Sequence, residues 1–467
     1  MKKTYIAQIV AALMAGAMGS GAHAAAFQLL EQNASGVGNA FAGSGAAAED
    51  ASTAYFNPAA MPFMAQPSQV SMAIDLVKPT IKFHNNGSTT GLMVPASKAG
   101  GDGGDAGSVN VVPDLHITYA LNDKMSLGFS FGAPFGLKTD YDPSWIGRFQ
   151  ATLSDIKTYN ANPSFAYKFA ENFSVGAGVS YQRMEATLEQ AVNFGALAGA
   201  TLCPTLSPAC LGQTAPLVAG KEGSSSVEGD STAWGWNLGA AWQVSQSTRV
   251  GLSYRSAIKH NLTGDVSFVR PTFASAGLNA GIAAKTPDGP VSVDVKLPDT
   301  WILSTFQQIN DQWSLQGDIS WTGWSSIKTL DIYRSNGTLL ASSYYNWKDT
   351  WRVALGGGYQ MSPELKLRAG VAYDQSPVED QYRTPRMPDN NRTWLSLGMN
   401  YKFTPVFSVD AGYSHLFLQD TSINDSGYHA DYNPGGINST NPVVRGTLKG
   451  DYTGSVDILA VQANYAF

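Results

Sequence analysis

The sequence predicts an all-β fold, namely a transmembrane antiparallel β-barrel of 14 strands with an N-terminal hatch inside its lumen. Charged residues make up only 14% of the 467-residue chain, whereas soluble domains carry about 25% charged residues. Much of the surface is therefore predicted to face lipid. No apolar run after residue 24 reaches the ~18 residues of a membrane-spanning helix, and without such helices only a closed barrel satisfies every backbone polar group in lipid.

The first 24 residues have the pattern of a secretion signal. Met1-Lys2-Lys3 is basic, residues 6–18 are mostly apolar, and Ala22-His23-Ala24 is a small-x-small cleavage site. Because the apolar stretch is short and interrupted by glycine, cleavage is favoured over an uncleaved anchor helix. We therefore expect a signal peptide over residues 1–24 and an exported mature chain.

Cysteine usage agrees with export. The two cysteines, Cys203 and Cys210, lie within CPTLSPAC, and this spacing suits a loop disulfide in an oxidising compartment. A metal site would need further ligands and no histidine lies nearby, so neither a metal nor a cofactor is predicted. The net charge of −6 gives no reason to expect a nucleic acid as partner.

Alternating segments fill residues 68–467. In one of them Trp351 and Val353 alternate with Arg352 and Ala354. Alternation alone does not distinguish a barrel from a soluble sandwich, but strict alternation of short and long connections is typical of outer-membrane barrels. Six short turns and seven long connections give 14 strands. The predicted strands are 68–84, 108–121, 124–134, 153–170, 173–188, 229–244, 248–266, 291–309, 313–330, 345–361, 365–376, 391–403, 407–420 and 449–467.

Both ends of the mature chain support this interpretation. Every second residue from Leu459 to Phe467 is apolar, and the terminal aromatic residue is expected to signal assembly into the outer membrane. Residues 25–67 include the glycine- and alanine-rich stretch 35–61. By composition this stretch fits a flexible linker, but before a barrel of residues 68–467 we interpret residues 25–67 as the hatch.

Seven segments of the chain carry a family resemblance: FQL (27–29), SGVGNAFAGSGAAAEDASTAYFNPAAM (35–61), LPDTW (297–301), ISWTGWSSI (319–327), WKDTWRVALGGGY (347–359), YDQSPV (373–378) and NYAF (464–467). In them the chain resembles the outer-membrane long-chain fatty acid transporters, the FadL family, which includes a branch for aromatic hydrocarbons. The resemblance implies passive transport. The ligand is captured between the third and fourth outer loops, enters an apolar pocket in the barrel and leaves sideways where the third strand kinks inward.

The resemblance also implies which residues form the hatch motif and the kink. The hatch motif comprises Phe27, Asn57, Pro58 and Ala59. The kink residues are Gly132, Pro134 and Gly136. Proline cannot donate to a strand ladder and glycine weakens a strand, so these residue types suit a break. From the residues alone, an ordinary strand end fits equally well.

Two predicted outer loops are rich in apolar side chains. Loop 189–228 contains Phe194, Leu197 and Leu202. Loop 267–290 contains Phe268, Phe273, Leu278 and Ile282, spaced as one face of a short helix. Packing of loop on loop explains part of this pattern; we expect an apolar ligand groove between the loops.

The sequence departs from the family at the positions that would bind a carboxylate. Fatty acid transporters place one basic residue near the outer end of the fifth strand and another just after the ninth. Here these places read Leu188-Glu189-Gln190 and Leu330-Asp331, and neither has a cation. The nearest candidate partners for a carboxylate are Arg183, Lys328 and Arg334. The substrate class is therefore predicted to be either long-chain fatty acids or monoaromatic hydrocarbons.

Catalysis has little support, and the chain is not predicted to be an enzyme. His415 lies on a predicted strand without a readable serine and carboxylate partner. The leading prediction is passive uptake of hydrophobic small molecules, with a general porin and an outer-membrane esterase as alternatives. Besides the ligand, the expected partners are outer-membrane lipid and lipopolysaccharide. The chain is expected to be a monomer in the outer membrane of a Gram-negative bacterium.

Overall fold

A computed structural model of the protein describes residues 26–204, 206–427 and 442–467. It shows a closed antiparallel barrel of 14 wall strands, which confirms the predicted fold class. Closure occurs between the first and last strands, whose ladder runs from Gln69 opposite Ala466 to Asn85 opposite Gly450. The predicted signal peptide, residues 1–24, lies outside the described residues.

The wall strands are numbered β1 to β14 in chain order, and several consist of two segments. Their bounds are β1 Gln69–Asn85, β2 Asn110–Ala120, β3 Met125–Gly132 and Gly136–Asp140, β4 Leu153–Ala170, β5 Phe173–Val192, β6 Gly223–Ser245, β7 Thr248–Arg255 and Ile258–Val269, β8 Gly289–Leu297 and Thr300–Gln308, β9 Trp313–Thr322 and Thr329–Arg334, β10 Leu339–Tyr344 and Thr350–Gln360, β11 Leu365–Asp374, β12 Arg392–Thr404, β13 Phe407–Leu418 and Thr421–Asp425, and β14 Gly446–Ala466.

The strand count and all six short turns agree with the sequence prediction, but several outer ends differ. β5 and β9 each end four residues later than predicted. β6 and β10 each begin six residues earlier than predicted. The β5–β6 ladder continues through polar residues as far as Val192 opposite Gly223. Strands predicted as continuous are also interrupted. β8, for example, breaks at Pro298, which has no amide hydrogen for the ladder.

The two faces of the wall have opposite chemistry. On β10, Trp351, Val353 and Leu355 are each more than half exposed, whereas Arg352 and Ala354 between them are buried. The outward face is therefore apolar and the lumen polar, as expected for a barrel in lipid. No helix among the described residues is long and apolar enough to span a membrane.

Short helices lie in the N-terminal segment and in the outer loops. They are α1 Ala34–Val37, α2 Thr53–Phe56, α3 Phe194–Leu202, α4 Pro208–Val218, α5 Ala276–Lys285 and α6 Pro442–Arg445. The 3₁₀ helices are Pro58–Phe63, Ala96–Lys98, Trp324–Ser326 and Asp380–Tyr382. A further two-residue strand, Thr89–Thr90, pairs with the start of β14.

The N-terminal segment, residues 26–64, is almost entirely buried and is bonded to strands around the barrel. The amide of Ala34 donates to Gln462 Oε1 on β14, and Ser414 Oγ on β13 donates to the carbonyl of Val37. On the opposite side, Arg255 of β7 donates to the carbonyl of Tyr55 at 2.8 Å. Contacts with such widely separated strands require the segment to lie across the lumen.

Candidate functional site

Asn57 fixes the end of the N-terminal segment against the wall. Its side-chain amide donates to the carbonyls of Gly45, at 2.8 Å, and Ala240, at 3.1 Å, and its Oδ1 accepts from the amide of Ala59. It thereby caps the 3₁₀ helix that begins at Pro58. Asn57 is completely buried, so its three hydrogen bonds satisfy polar groups that water does not reach.

A charged cluster holds the middle of the segment. Glu49 Oε1 accepts from Lys366 Nζ at 2.5 Å, and Glu49 Oε2 accepts from Arg368 Nη2 at 2.7 Å. Arg368 also pairs with Asp410 at 2.6 Å. Burial opposes ionisation of Glu49, but Lys366 and Arg368 outweigh it and hold the pKa of the carboxyl well below its usual range. The segment is therefore tied to β11 by ionised groups.

β3 is interrupted between Gly132 and Gly136, and the interrupted backbone pairs with the N-terminal segment. The amide of Leu29 donates to the carbonyl of Pro134, and the amide of Gly136 donates to the carbonyl of Phe27, each at 2.8 Å. Between these two bonds, Gln28 and Phe135 form an isolated antiparallel bridge. The predicted kink residues thus lie where β3 leaves the wall for the lumen.

The interruption leaves a gap in the wall ladder. β2 pairs with β3 only up to Leu115 opposite Phe131, while the outer segment of β3 continues in ladder register with β4. On the outer side of the gap, the amide of Asp140 donates to the carbonyl of Ala106. The amide of Ala106 in turn donates to the carbonyl of Ile81. In the described residues, the gap is therefore an opening in the wall, which we call the window. It lies between the Leu115–Phe131 pair of β2 and β3 on one side and residues 105–107 on the other.

An apolar cavity lies beside the interrupted strand, with an empty volume of about 650 Å³. The described residues that line it are Phe27, Leu137, Ser154, Ile156, Met184, Ala186, Leu188, Leu262, Val293, Val295, Ile327, Leu330, Tyr345, Trp347, Arg386 and Met387. Phe27 of the hatch motif and Leu137 of β3 both contribute to it, so the cavity adjoins the kink.

Arg386 is the one cation among these lining residues. Its guanidinium donates to the carbonyl of Leu153, Ser154 Oγ, the carbonyl of Glu189 and Gln190 Oε1, at 2.9–3.3 Å. All four acceptors are neutral, and in the described part of the chain Arg386 belongs to no ion pair. Burial lowers the pKa of Arg386. A buried cation with neutral neighbours favours an anionic ligand.

Aromatic rings cover the hatch side of the cavity. Phe27 lies 5.2 Å from Trp324, 5.7 Å from Phe135 and 5.9 Å from Trp347, measured between ring centroids. These tilted contacts stabilise a ring cluster beyond its buried area. Phe27 is therefore packed between the cavity and Phe135 of the interrupted strand region.

The three basic residues predicted from the sequence do not line the cavity. Arg183 is 51% exposed on the outward face of β5 and pairs with Glu185 and Asp230. Lys328 is exposed, and Arg334 donates to the carbonyl of Pro287. Arg386 was missed because it belongs to the long connection between β11 and β12, which folds into the lumen. The signal available in the sequence was three arginines within ten residues, at 383, 386 and 392.

The structure brings most of the predicted groove residues together. Phe194 and Phe273 are buried in one cluster, with Leu197, Phe268 and Leu278 packed partly against it. Leu202 is 42% exposed and lies outside the cluster. The predicted helical face is only partly formed, since α5 begins at Ala276 and Phe268 belongs to β7.

Two further predicted features have clear positions. Cys203 and Cys210 are joined in a disulfide between α3 and α4. His415 lies on the outward side of β13, where its Nδ1 contacts Asp457 Oδ1 at 2.8 Å. The same carboxylate accepts from Tyr413. This arrangement is a polar cluster on the outer surface of the wall.

Comparison with known proteins agrees with this architecture. Residues 15–467 match the family described as outer membrane protein transport protein (OMPP1/FadL/TodX). The chain is 34% identical over 435 residues to outer membrane protein P1 of Haemophilus influenzae, covering 89% of this chain and 90% of that protein. It is 28% identical to the long-chain fatty acid transport protein of Escherichia coli K12, covering 91% of this chain and 95% of that protein.

Solved structures agree as well. A Pseudomonas aeruginosa FadL homologue superposes with a TM-score of 0.82 at 28% identity, covering 95% of this chain and all of that one. The Pseudomonas putida toluene transporter TodX superposes at 0.65 with 18% identity, covering 95% of this chain and all of that one, which shows a shared fold. The protein is thus located in the outer membrane and is a transport protein rather than an enzyme. The chain belongs to the outer membrane transport protein family that includes FadL and TodX.

Proposed function

We propose that the protein takes up long-chain fatty acids passively and releases them sideways through the window beside β3. The observation that carries this proposal is the apolar cavity with the buried guanidinium of Arg386, which has no ion-pair partner among the described residues. An alkyl chain suits the apolar walls, and a carboxylate suits a cation whose hydrogen-bond acceptors are all neutral. A fatty acid combines both groups in one molecule.

Three connected features support a route for such a ligand. The loop cluster around Phe194 and Phe273 offers apolar surface at the outer end of the barrel. The cavity lies below, and Phe27 separates it from the interrupted part of β3. No energy source is needed, because release requires only that residues 27–29 leave their hydrogen bonds with β3.

Titration of purified protein with labelled oleate tests this proposal. Arg386→Met should weaken oleate binding by about 10- to 100-fold, the effect of losing a charge-assisted hydrogen bond. Arg183→Met is the matched control, since Arg183 lies half exposed on the outward face, and should bind as the wild type does. Equal affinity of the wild type and Arg386→Met would overturn the role of Arg386.

A monoaromatic hydrocarbon is the second candidate substrate. The observation that favours it is the aromatic surface of the cavity, which Phe27, Tyr345 and Trp347 provide. Competition between oleate and toluene for binding separates the two candidates. If toluene displaces oleate readily and binds Arg386→Met with unchanged affinity, the aromatic branch describes the substrate better.

A further inference from the structure

Three buried acidic side chains lie on elements that border the window, where the family resemblance assigns no role. Glu31 belongs to the N-terminal segment, Asp75 to β1 and Asp114 to β2. All three are at most 4% exposed. In the strand register, Asp75 lies opposite Val112 and Asp114 opposite Ala73, so the two aspartates are diagonal neighbours on the inward face.

Both carboxyl oxygens of each of these three residues lack a donor among the described residues. The side chains of Asp75 and Asp114 are neighbours on one face of the β1–β2 ladder. Two ionised carboxylates can only accept hydrogen bonds, so neither can satisfy the other unless one of them holds a proton. Burial of both groups without a donor therefore favours a bound proton in this pair.

A second acceptor independently indicates a missing proton. Gln32 Oε1 is completely buried and has no donor in the described residues. A Cβ atom placed on Gly132 would lie 2.7 Å from Gln32 Oε1. The same atom would collide with Asp114 Oδ1. Both oxygens therefore lie beside the last residue before the break in β3. A proton on Asp114 would supply a donor that the described residues otherwise lack there.

A metal ion is not the better explanation. In the part of the chain that the structure describes, no group of three or more His, Cys, Asp or Glu side chains has a geometry that could hold one. Among the described residues, no arginine donates a hydrogen bond to these three carboxyl groups. Arg392 pairs with Asp389 at 2.5 Å, and Arg352 donates to the carbonyl of Ala40.

The remaining charged or titratable groups around the cluster are few. His116 lies on β2 with its Nε2 on the carbonyl of Gln32 at 2.8 Å, and its ring is 6.3 Å from that of Tyr55. Arg255 of β7 covers Tyr55 at 4.2 Å, and Asp50 lies close enough to act on His116. Burial raises the pKa of Glu31 to about 8. Its own backbone amide, Arg392 and Arg352 act against this shift, and Asp75 adds to it.

Two of the acidic residues lie next to the window. A smaller cavity beside the first shares Met387 with it and reaches Arg392 and the inner side of β1 at Pro79. Glu31 follows two residues after Leu29, which is bonded to Pro134 of the kink. Asp114 borders the window on the β2 side, next to the last residue of β2 that pairs with β3.

We propose that Glu31, Asp75 and Asp114 form a proton-donating site that neutralises a carboxylate cargo before it enters the membrane. This inference rests on the proposed function. An O–H bond on the cluster breaks, an O–H bond forms on the cargo carboxylate, and the cluster keeps the negative charge until water in the lumen returns a proton. The transfer is required because an ionised carboxylate is expelled from hydrocarbon, whereas the neutral acid is not.

Transport of two cargoes that differ only in the charged group tests this inference. Oleate and oleyl alcohol share one chain, and only oleate needs a proton. In proteoliposomes, the triple variant Glu31→Gln, Asp75→Asn, Asp114→Asn should transport oleate about tenfold more slowly at pH 7, since the ionised acid must then cross unaided. Oleyl alcohol should move at the wild-type rate. The rate of oleate transport by the wild type should fall above pH 8. The rate in the triple variant should show no such fall.

The possible outcomes distinguish failure of the proton-donating site from failure of the proposed transport function. Unchanged oleate transport in the triple variant, with normal oleate binding, would overturn the proton-donating site alone. An equal loss for oleate and the alcohol would assign the cluster a structural role, and the single variant Asp114→Asn should then show the same equal loss. Absence of oleate binding and transport in the wild-type protein would overturn the proposed function itself.

Discussion

The backbone amide of Gly136 donates a hydrogen bond of 2.8 Å to the carbonyl of Phe27. This bond joins the outer segment of β3 to the start of the N-terminal segment instead of to β2. Phe27 also lines the cavity. The cavity, the N-terminal segment and the window in the wall therefore adjoin one another at these two residues.

Removal of the charge on Glu49 should loosen the N-terminal segment without unfolding the barrel. Glu49→Gln leaves Lys366 without its carboxylate partner and leaves Arg368 with Asp410 alone. Loss of a fully buried pair costs roughly 3–5 kcal/mol, and because Glu49 is one-fifth exposed we expect about 2 kcal/mol. Hydrogen exchange should show reduced protection of the hatch amides alone.

Glu185→Gln is the matched control, because Glu185 forms an exposed pair with Arg183 on the outer wall. Such pairs contribute little to stability. Loss of protection throughout the barrel in Glu49→Gln would show instead that the pair supports the whole fold.

The two hatch glutamates should respond oppositely to pH. The pKa of Glu49 is lowered, so its contribution is present above its usual value of 4.5 and is lost only as pH falls through the lowered pKa. The pKa of Glu31 is raised to about 8, so its contribution is present below 4.5 and is lost as pH rises through about 8. Exchange corrected for intrinsic rates should show protection around Glu31 falling between pH 5 and 8, as estimated from linkage, with protection around Glu49 constant. A Glu31→Gln variant that keeps the fall would contradict this assignment.

The hatch motif should control transport more than assembly. Asn57→Ala removes the donor from the carbonyls of Gly45 and Ala240, a loss of about 1–3 kcal/mol for buried groups. We expect slower uptake from Asn57→Ala and from Pro58→Ala, with normal yield of folded barrel. Asn172→Ala, in an exposed short turn, should be neutral. Absence of folded protein in the motif variants would show that the motif is needed for assembly.

The barrel could be predicted because its signals are local. Alternation such as that of Trp351, Arg352 and Val353 reports directly which face meets lipid, and short turns mark every second strand end. The interruptions of the strands were predicted less well. Pro298 in β8 is visible in the sequence, but whether a proline breaks a strand depends on which neighbour needs its amide.

The site could be predicted only in part, because it depends on contacts between distant segments. Arg386 belongs to a connection that folds inward, and neither its position in a loop nor its residue type shows this. Asp75 and Asp114 became neighbours only through the β1–β2 register. Their inward alternation was visible beforehand; their proximity to Gly132 and Gln32 was not.

A reversible cross-link between Gln28 and Phe135 tests the lateral route most directly. These residues form a non-hydrogen-bonded antiparallel pair, flanked by the bonds of Phe27 and Leu29, and such pairs have Cα atoms about 4.5 Å apart, within disulfide reach. In Gln28→Cys/Phe135→Cys, oxidation should abolish oleate uptake and reduction should restore it, while the wild type given the same treatments is unaffected. Equal uptake by the oxidised and reduced forms, with the cross-link verified, would contradict release through the window.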